Sequence, residues 1–207
     1  MIFGDFMLNE VIKGLESRNI SGYFAENKKE ALKIALSLME KGRTVGWGGS
    51  MSVREIGLYD AVNNGDFITF NRDACETAEQ KREMELKTLG ADYFLCSSNA
   101  VTKDGVLVNI DGYANRVAAI AYGPKKVIMV VGVNKICDDL DCAIIRARET
   151  AAPRNAQRFP INTPCKKTGQ CADCKAADTI CCQFLITRYS KIKDRIHIIL
   201  VNEALGF

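Results

Sequence analysis

The sequence predicts an α/β fold, a mostly parallel central sheet flanked by helices, carried by a single domain over residues 1–207. Three observations predict it. Up to residue 96, strand-like apolar runs alternate with amphipathic stretches of helical period, which is how a parallel sheet with covering helices is written. A glycine-rich turn, Gly46-Trp47-Gly48-Gly49-Ser50, joins one such strand to one such helix. The 207 residues are 47% hydrophobic and 26% charged, ordinary values for a globular chain long enough to bury a core.

Residues 1–26 read as a helical lead-in. Asn27-Lys28-Lys29-Glu30 matches a capping box and opens an amphipathic helix. Ala31, Ile34, Ala35 and Leu38 form its apolar face, and Gly42 ends it. Thr44–Trp47 is a short strand, and Gly48-Gly49-Ser50 is the turn after it. A helix starts near Ser50, because Ser52-Val53-Arg54-Glu55 repeats the capping pattern. Ile56, Leu58 and Val62 face the core, and Asn63-Asn64-Gly65 stops this helix. Phe67–Phe70 is a strand. Thr77–Leu89 is a helix with a charged wet face and with Met84, Leu86 and Leu89 inward. Tyr93–Cys96 is a buried strand.

The pattern shortens after residue 96. Ala100–Thr102, Val106–Ile110, Val117–Tyr122 and Val127–Val133 read as strands separated by the turns Lys103-Asp104-Gly105, Asp111-Gly112 and Gly123-Pro124-Lys125. A helix follows over Leu140–Thr150, with Asp138 or Asp139 at its start, where negative charge is favourable, and Ala152-Pro153 ends it. Residues 154–182 have no period and form a Cys-rich loop ahead of the last strands, Phe184–Thr187 and Arg195–Val201.

Several function classes are excluded by composition. The net charge of +3 is dispersed, so no basic stripe marks a nucleic-acid partner. No apolar run approaches the length of a membrane span, the longest being Val127–Val133. Met1–Asn9 carries Asp5 and no basic segment, unlike a signal peptide, and a cytoplasmic protein is expected.

Two polar constellations point to a site. Gly48, Gly49, Ser50 and Ser52 stand where a strand gives way to a helix, and such a turn presents free N–H groups to a phosphate or carboxylate. Asp111, Asn115 and Arg116 crowd at the end of another strand: the guanidinium can hold an anion in a bidentate fork, and the carboxylate can act as a base. These three are the candidate catalytic residues. Asp104, Asn134 and Lys135 lie at further strand ends and join the candidate binding set. The expected ligand is a small anionic metabolite. His197, the one histidine, lies in a strand with period-2 neighbours and reads as structural or surface rather than catalytic.

Nine cysteines is a high, odd count, and five fall between Cys165 and Cys182. Cys171 and Cys174 form a Cys-x-x-Cys knuckle, and Cys165 and Cys181 can complete a tetrahedral metal site. The spacing resembles the iron–sulfur loop of certain DNA-repair glycosylases and equally suits zinc. Cys75, Cys96, Cys137 and Cys142 read as small buried hydrophobes.

In order along the chain, Gly46–Gly57, Ser97-Ser98-Asn99-Ala100-Val101-Thr102 with Asp104-Gly105, Asn109–Arg116, Gly123-Pro124, Gly132-Val133-Asn134-Lys135, Ala152-Pro153-Arg154-Asn155-Ala156, the cysteine segment and Leu200-Val201-Asn202-Glu203 resemble the LUD-domain family of bacterial lactate utilisation. The resemblance implies a fold similar to ribose 5-phosphate isomerase and the CoA transferases, whose corresponding turn holds phosphate or CoA groups. The Asp-Gly-Ala-Asp-Glu pattern of the isomerase is missing, as is a glutamate of the CoA-transferase kind. The family link therefore supplies a fold but no reaction. It admits three roles: an enzyme, a regulatory binding module, or a redox or assembly subunit working with oxidoreductase subunits. A homo-oligomer is a further expectation.

Overall fold

The computed structural model describes residues 2–207, with side chains from Leu8 onward. Helix α1 (Ile2–Ser17) precedes the edge strand β1 (Ser21–Ala25), so the first 26 residues are not purely helical. Helix α2 (Lys28–Ser37) begins at Asn27, whose side chain accepts the N–H groups of Lys29 and Glu30. Strand β2 (Thr44–Trp47) runs into the glycine-rich turn. Ser50 then caps helix α3 (Met51–Glu55), and a left-handed Gly57 (φ 76°) separates it from helix α4 (Leu58–Asn63). Strand β3 (Ile68–Phe70) follows. Helix α5 (Ala78–Thr88) starts with a complete Thr77–Gln80 capping box. Its inward residues differ from expectation: Leu86 is exposed and Thr88 is buried. A Cβ at Gly46 would strike the Thr88 side chain, so that glycine lets α5 lie against β2.

Strand β4 (Tyr93–Cys96) leads to strands β5 (Ala100–Thr102) and β6 (Leu107–Asp111), which form an antiparallel hairpin. The expected strand over Val117–Tyr122 is instead helix α6 (Asn115–Ala121). The Asp111 carboxylate accepts the N–H groups of Arg116 and Val117, which starts a helix at this point. The alanine-rich sequence favours it, and Val117 and Ile120 share its buried side. Strand β7 (Lys126–Gly132) and the short β8 (Ile136–Cys137) come next. Helix α7 (Leu140–Ile145) was expected to end at Ala152-Pro153. It passes instead through a π-helical segment at Arg146–Ala151 into helix α8 (Ala152–Ala156). The wider π turn accommodates a proline that supplies no N–H. Residues 154–182, expected as an unbroken loop, contain the end of α8 and helix α9 (Pro164–Thr168). Strands β9 (Gln183–Thr187) and β10 (Ile196–Val201) finish the fold.

Six strands form a wholly parallel sheet in the order β1-β10-β7-β4-β2-β3. Period-2 alternation divides their side chains between two cores. Val45, Leu95, Ile128, Val130 and Ile199 pack under α2, α3 and α4. Phe94, Cys96, Val127, Met129, Val131 and Ile198 pack against α1 and α6. The remaining strands make a separate sheet, β8-β5-β6-β9, which covers Ala143 and Ala147 through Ala100, Val108 and Ile110. His197 is buried, with Nδ1 3.0 Å from Tyr23 Oη and Nε2 2.8 Å from the Asp194 carbonyl. Of the cysteines expected as buried, Cys96 and Cys137 are so, Cys75 is half-buried and Cys142 is exposed. Among the described residues, no helix is long and apolar enough to cross a membrane.

Candidate functional site

Neighbouring parallel strands β7, β4 and β2 all end on one side of the sheet. From β2 the chain moves outward to β3 and then returns to β4 on the other side of β2, which opens a crevice beyond the strand ends. A cavity of about 500 Å³ lies there. Gly49 and Ser50 from the turn after β2, Ser97, Ser98 and Asn99 after β4, Lys135 after β7, and Asp111 at the end of β6 all line it. Arg158–Ile161 and Ala177–Ile180, from the Cys-rich segment, form the facing wall.

The candidate residues divide. Gly49, Ser50, Asp111, Asn115, Arg116 and Lys135 line the cavity. Gly48, Ser52, Asp104 and Asn134 stand outside its lining. A Cβ on Gly48 would lie 3.1 Å from both Cγ and Cδ of Arg116, so this glycine makes room for the arginine. Asp104 fixes the β5–β6 hairpin through Thr102 and pairs with Arg18. Asn134 holds the C-terminal segment, its Oδ1 accepting the Leu205 N–H at 3.0 Å. Ser52 is buried behind the lining, against Lys135.

Arg116 is more constrained than its residue type suggests. Nη1 donates to the Ser97 carbonyl (3.0 Å) and to Asn109 Oδ1 (2.6 Å). Nη2 donates to Asn99 Oδ1 (3.0 Å) and to the Ile110 carbonyl (2.6 Å). Nε is 3.9 Å from Asp111 Oδ2. The guanidinium thus clasps the ends of β4 and β6 together, and little of its donor capacity is left for a ligand. Asp111 Oδ2 serves the start of α6, while Asn115 Nδ2 donates to Glu85 Oε1 at 2.7 Å.

Lys135 differs. It is only 4% exposed, and Nζ meets two hydroxyls, Ser52 Oγ at 2.9 Å and Ser97 Oγ at 3.0 Å. Burial, reinforced by the positive charges of Arg146 and Arg116, lowers its amine to about 7. Sequence reasoning missed Arg72, Lys81 and Arg158, which with Arg116 and Lys135 give the cavity five cationic residues against two carboxylates, Asp111 and Asp178. Each comes from a helix or turn with no glycine signal of its own. Arg72 Nη1 pairs with Glu85 Oε1 at 2.7 Å, and its buried Nε has no hydrogen-bond partner among the described residues.

A second cavity, of about 70 Å³, is lined by Cys165, Cys171, Cys174 and Cys181. Thr179 and Ile180 line both cavities, so the two share a wall. The Cys181 thiol is pushed up to about 11, first by burial and then by Cys171, Cys165 and Cys174. Arg148 Nη2 pairs with Asp173 Oδ1 at 2.6 Å inside the knuckle. Among the described residues, no three His, Cys, Asp or Glu side chains stand ready-made around a metal position.

Comparison with known proteins agrees with this architecture. A DUF162 family protein from Deinococcus radiodurans is similar in structure, with a TM-score of 0.53 and 13% identity over 98% of this chain and 100% of that one. Two weaker likenesses are eIF2B beta from Chaetomium thermophilum (TM-score 0.40, 16% identity, 56% of this chain and 44% of that one) and ribose 5-phosphate isomerase from Plasmodium falciparum (TM-score 0.34, 17% identity, 54% and 52%). No curated protein matches the chain significantly. The sequence profile of the LUD domain matches residues 8–201, nearly the whole chain, and the protein belongs to the LUD domain family.

Proposed function

We propose that this protein binds a small anionic metabolite, carrying a phosphate, carboxylate or CoA-type group, in the cavity at the strand ends. One observation carries the reading: five basic residues, three of them arginines, against two carboxylates line a concave space of about 500 Å³, large enough for a metabolite. Arg158 and Lys81 hold the anion at the mouth, and Asp111 and Asn115 face it from the end of β6. Gly49 and Ser50 offer backbone and hydroxyl contacts. Arg116 keeps the site in shape. The setting that the family suggests is the use of lactate or another organic acid in a bacterial cytoplasm.

A thermal-shift screen with lactate, inorganic phosphate, sugar phosphates, nucleotides and CoA esters tests this. At least one should raise Tm in proportion to the logarithm of its concentration, and Lys81→Ala with Arg158→Ala should weaken it about tenfold or more. No shift with any of these ligands overturns the reading.

A second reading is favoured by the four cysteines around one cavity. Cys165, Cys171, Cys174 and Cys181 would hold zinc or an iron–sulfur cluster once deprotonated, since thiolates and metal assemble together. Zinc would supply a structural staple for the loop, whereas a cluster would supply electron exchange with oxidoreductase subunits. Metal and sulfide analysis of anaerobically purified protein decides: one zinc, or iron with sulfide, supports this reading, and neither overturns it. Self-association remains part of this proposal and is read from sedimentation.

A further inference from the structure

Anion binding gives no reason for a buried amine held between two hydroxyls. Ser97, directly after β4, lines the cavity and is 7% exposed. Its Oγ accepts from Lys135 Nζ at 3.0 Å and donates to the Ser98 carbonyl at 3.3 Å, so the hydroxyl proton must rotate from that carbonyl to Nζ once the amine is neutral. On the other side of the amine, Ser52 Oγ is 2.9 Å from Nζ and donates to the Leu205 carbonyl at 3.3 Å, which turns its lone pairs toward Lys135. The Ser97 backbone is itself fixed, because Arg116 Nη1 holds its carbonyl. A hydroxyl facing a cavity, a base within hydrogen-bond reach, and a third group orienting that base make up the geometry of an activated nucleophile.

We propose that Ser97 is a nucleophile, Lys135 its general base and Ser52 the positioning residue for that base, in acyl transfer from a small anionic ester or thioester. The proposal rests on the anion-binding reading and names its substrate class. The charged groups around the amine support it. Arg146 and Arg116 disfavour the ammonium while Glu55 opposes them; Cys96, its thiol pushed up to about 12 by burial, stays neutral, and burial dominates, so free amine is present near neutral pH. Ser97 Oγ attacks the acyl carbon and its proton passes to Lys135 Nζ. The bond to the alcohol or thiol breaks, and the Lys135 ammonium returns the proton to the departing oxygen or sulfur. Water then attacks the acyl-serine ester, losing a proton to Lys135, which delivers it to Ser97 Oγ as the carboxylate leaves.

The test treats the full-length protein with a fluorophosphonate probe and with mono-p-nitrophenyl succinate. Expected are a stoichiometric fluorophosphonate adduct mapped to Ser97 and release of p-nitrophenolate, both lost in Ser97→Ala. Lys135→Met should lower both rates by roughly 10²–10⁴. Ser52→Ala should reduce kcat with KM little changed and move the acid limb of the pH profile to lower pH, because an acceptor favouring the ammonium is gone; Ser52→Thr should restore it. Folded wild-type protein that binds inorganic phosphate by calorimetry yet gives no adduct and no turnover overturns the acyl-transfer proposal alone. Failure to bind any anion in the thermal-shift screen overturns the reading beneath it. Borohydride trapping of pyruvate on Lys135 overturns the proposal by making the amine the nucleophile.

Discussion

Arg116 and Lys135 are both cations at strand ends lining one cavity, yet their surroundings are opposite. Arg116 spends its donors on Ser97, Asn99, Asn109 and Ile110 and lies 3.9 Å from the Asp111 carboxylate. Lys135 has two serine hydroxyls and, among the described residues, no paired carboxylate, and its amine falls to about 7. A conspicuous polar cluster in sequence can therefore be a clasp whose groups satisfy one another. A quieter lysine, buried with no carboxylate in hydrogen-bond contact among the described residues, holds its proton loosely, and that is the property chemistry can use.

The contrast can be broken at its strongest point first. Arg116→Met leaves the Ser97 and Ile110 carbonyls and the Asn99 and Asn109 amide oxygens without their donor. A loss of about 3–5 kcal/mol is expected in urea unfolding at pH 7; a loss under about 1 kcal/mol would show that the clasp is not structural. Lys135→Met should do the reverse. Its folded value lies below the unfolded one near 10.4, so the unfolded chain binds the extra proton between those values. The lysine's destabilisation is complete below pH 7 and is relieved as pH rises toward 10.4. The variant's gain over wild type should therefore shrink by about 1–3 kcal/mol between pH 7 and 9, read from paired denaturant melts. A gain independent of pH would mean that the amine stays charged in the fold.

Two smaller effects sharpen the comparison. Asp111→Ala removes an acceptor from the first N–H groups of α6 and should cost about 1–2 kcal/mol. Hydrogen exchange should locate the loss at Arg116 and Val117. Asp104→Ala breaks an exposed pair with Arg18, in which the aspartate side chain is 64% exposed. It also removes the hairpin's Thr102 hydrogen bond, and should cost about 1 kcal/mol and leave anion affinity unchanged by calorimetry.

Part of the site was legible because glycines and polar residues at strand ends are visible in a short window. Gly49, Ser50, Asp111, Asn115, Arg116 and Lys135 were found that way and do meet in one cavity. Arg72, Lys81 and Arg158 were not, since a cation on a helix or turn looks like any solvated residue until the chain folds over it. Gly48 shows the opposite error: its small size serves the packing of Arg116. In the cysteine segment, spacing marked four residues that come to line one cavity, while the wall they share with the larger cavity had no signal.

What the sequence alone determined was local. The Asn27 cap, the helix start at Ser50, and the strands Thr44–Trp47 and Tyr93–Cys96 each depend on residues within a few positions of one another. Tertiary structure decided the rest. An apolar run such as Val117–Tyr122 fits a strand or a helix equally well until a carboxylate caps it. The division into two sheets depends on pairings between distant strands. Lys135 meets Ser97 across 38 residues and Ser52 across 83, so their joint chemistry exists only once the strand ends converge. Hydrogen bonds and desolvation act through space, and no short window of sequence records them.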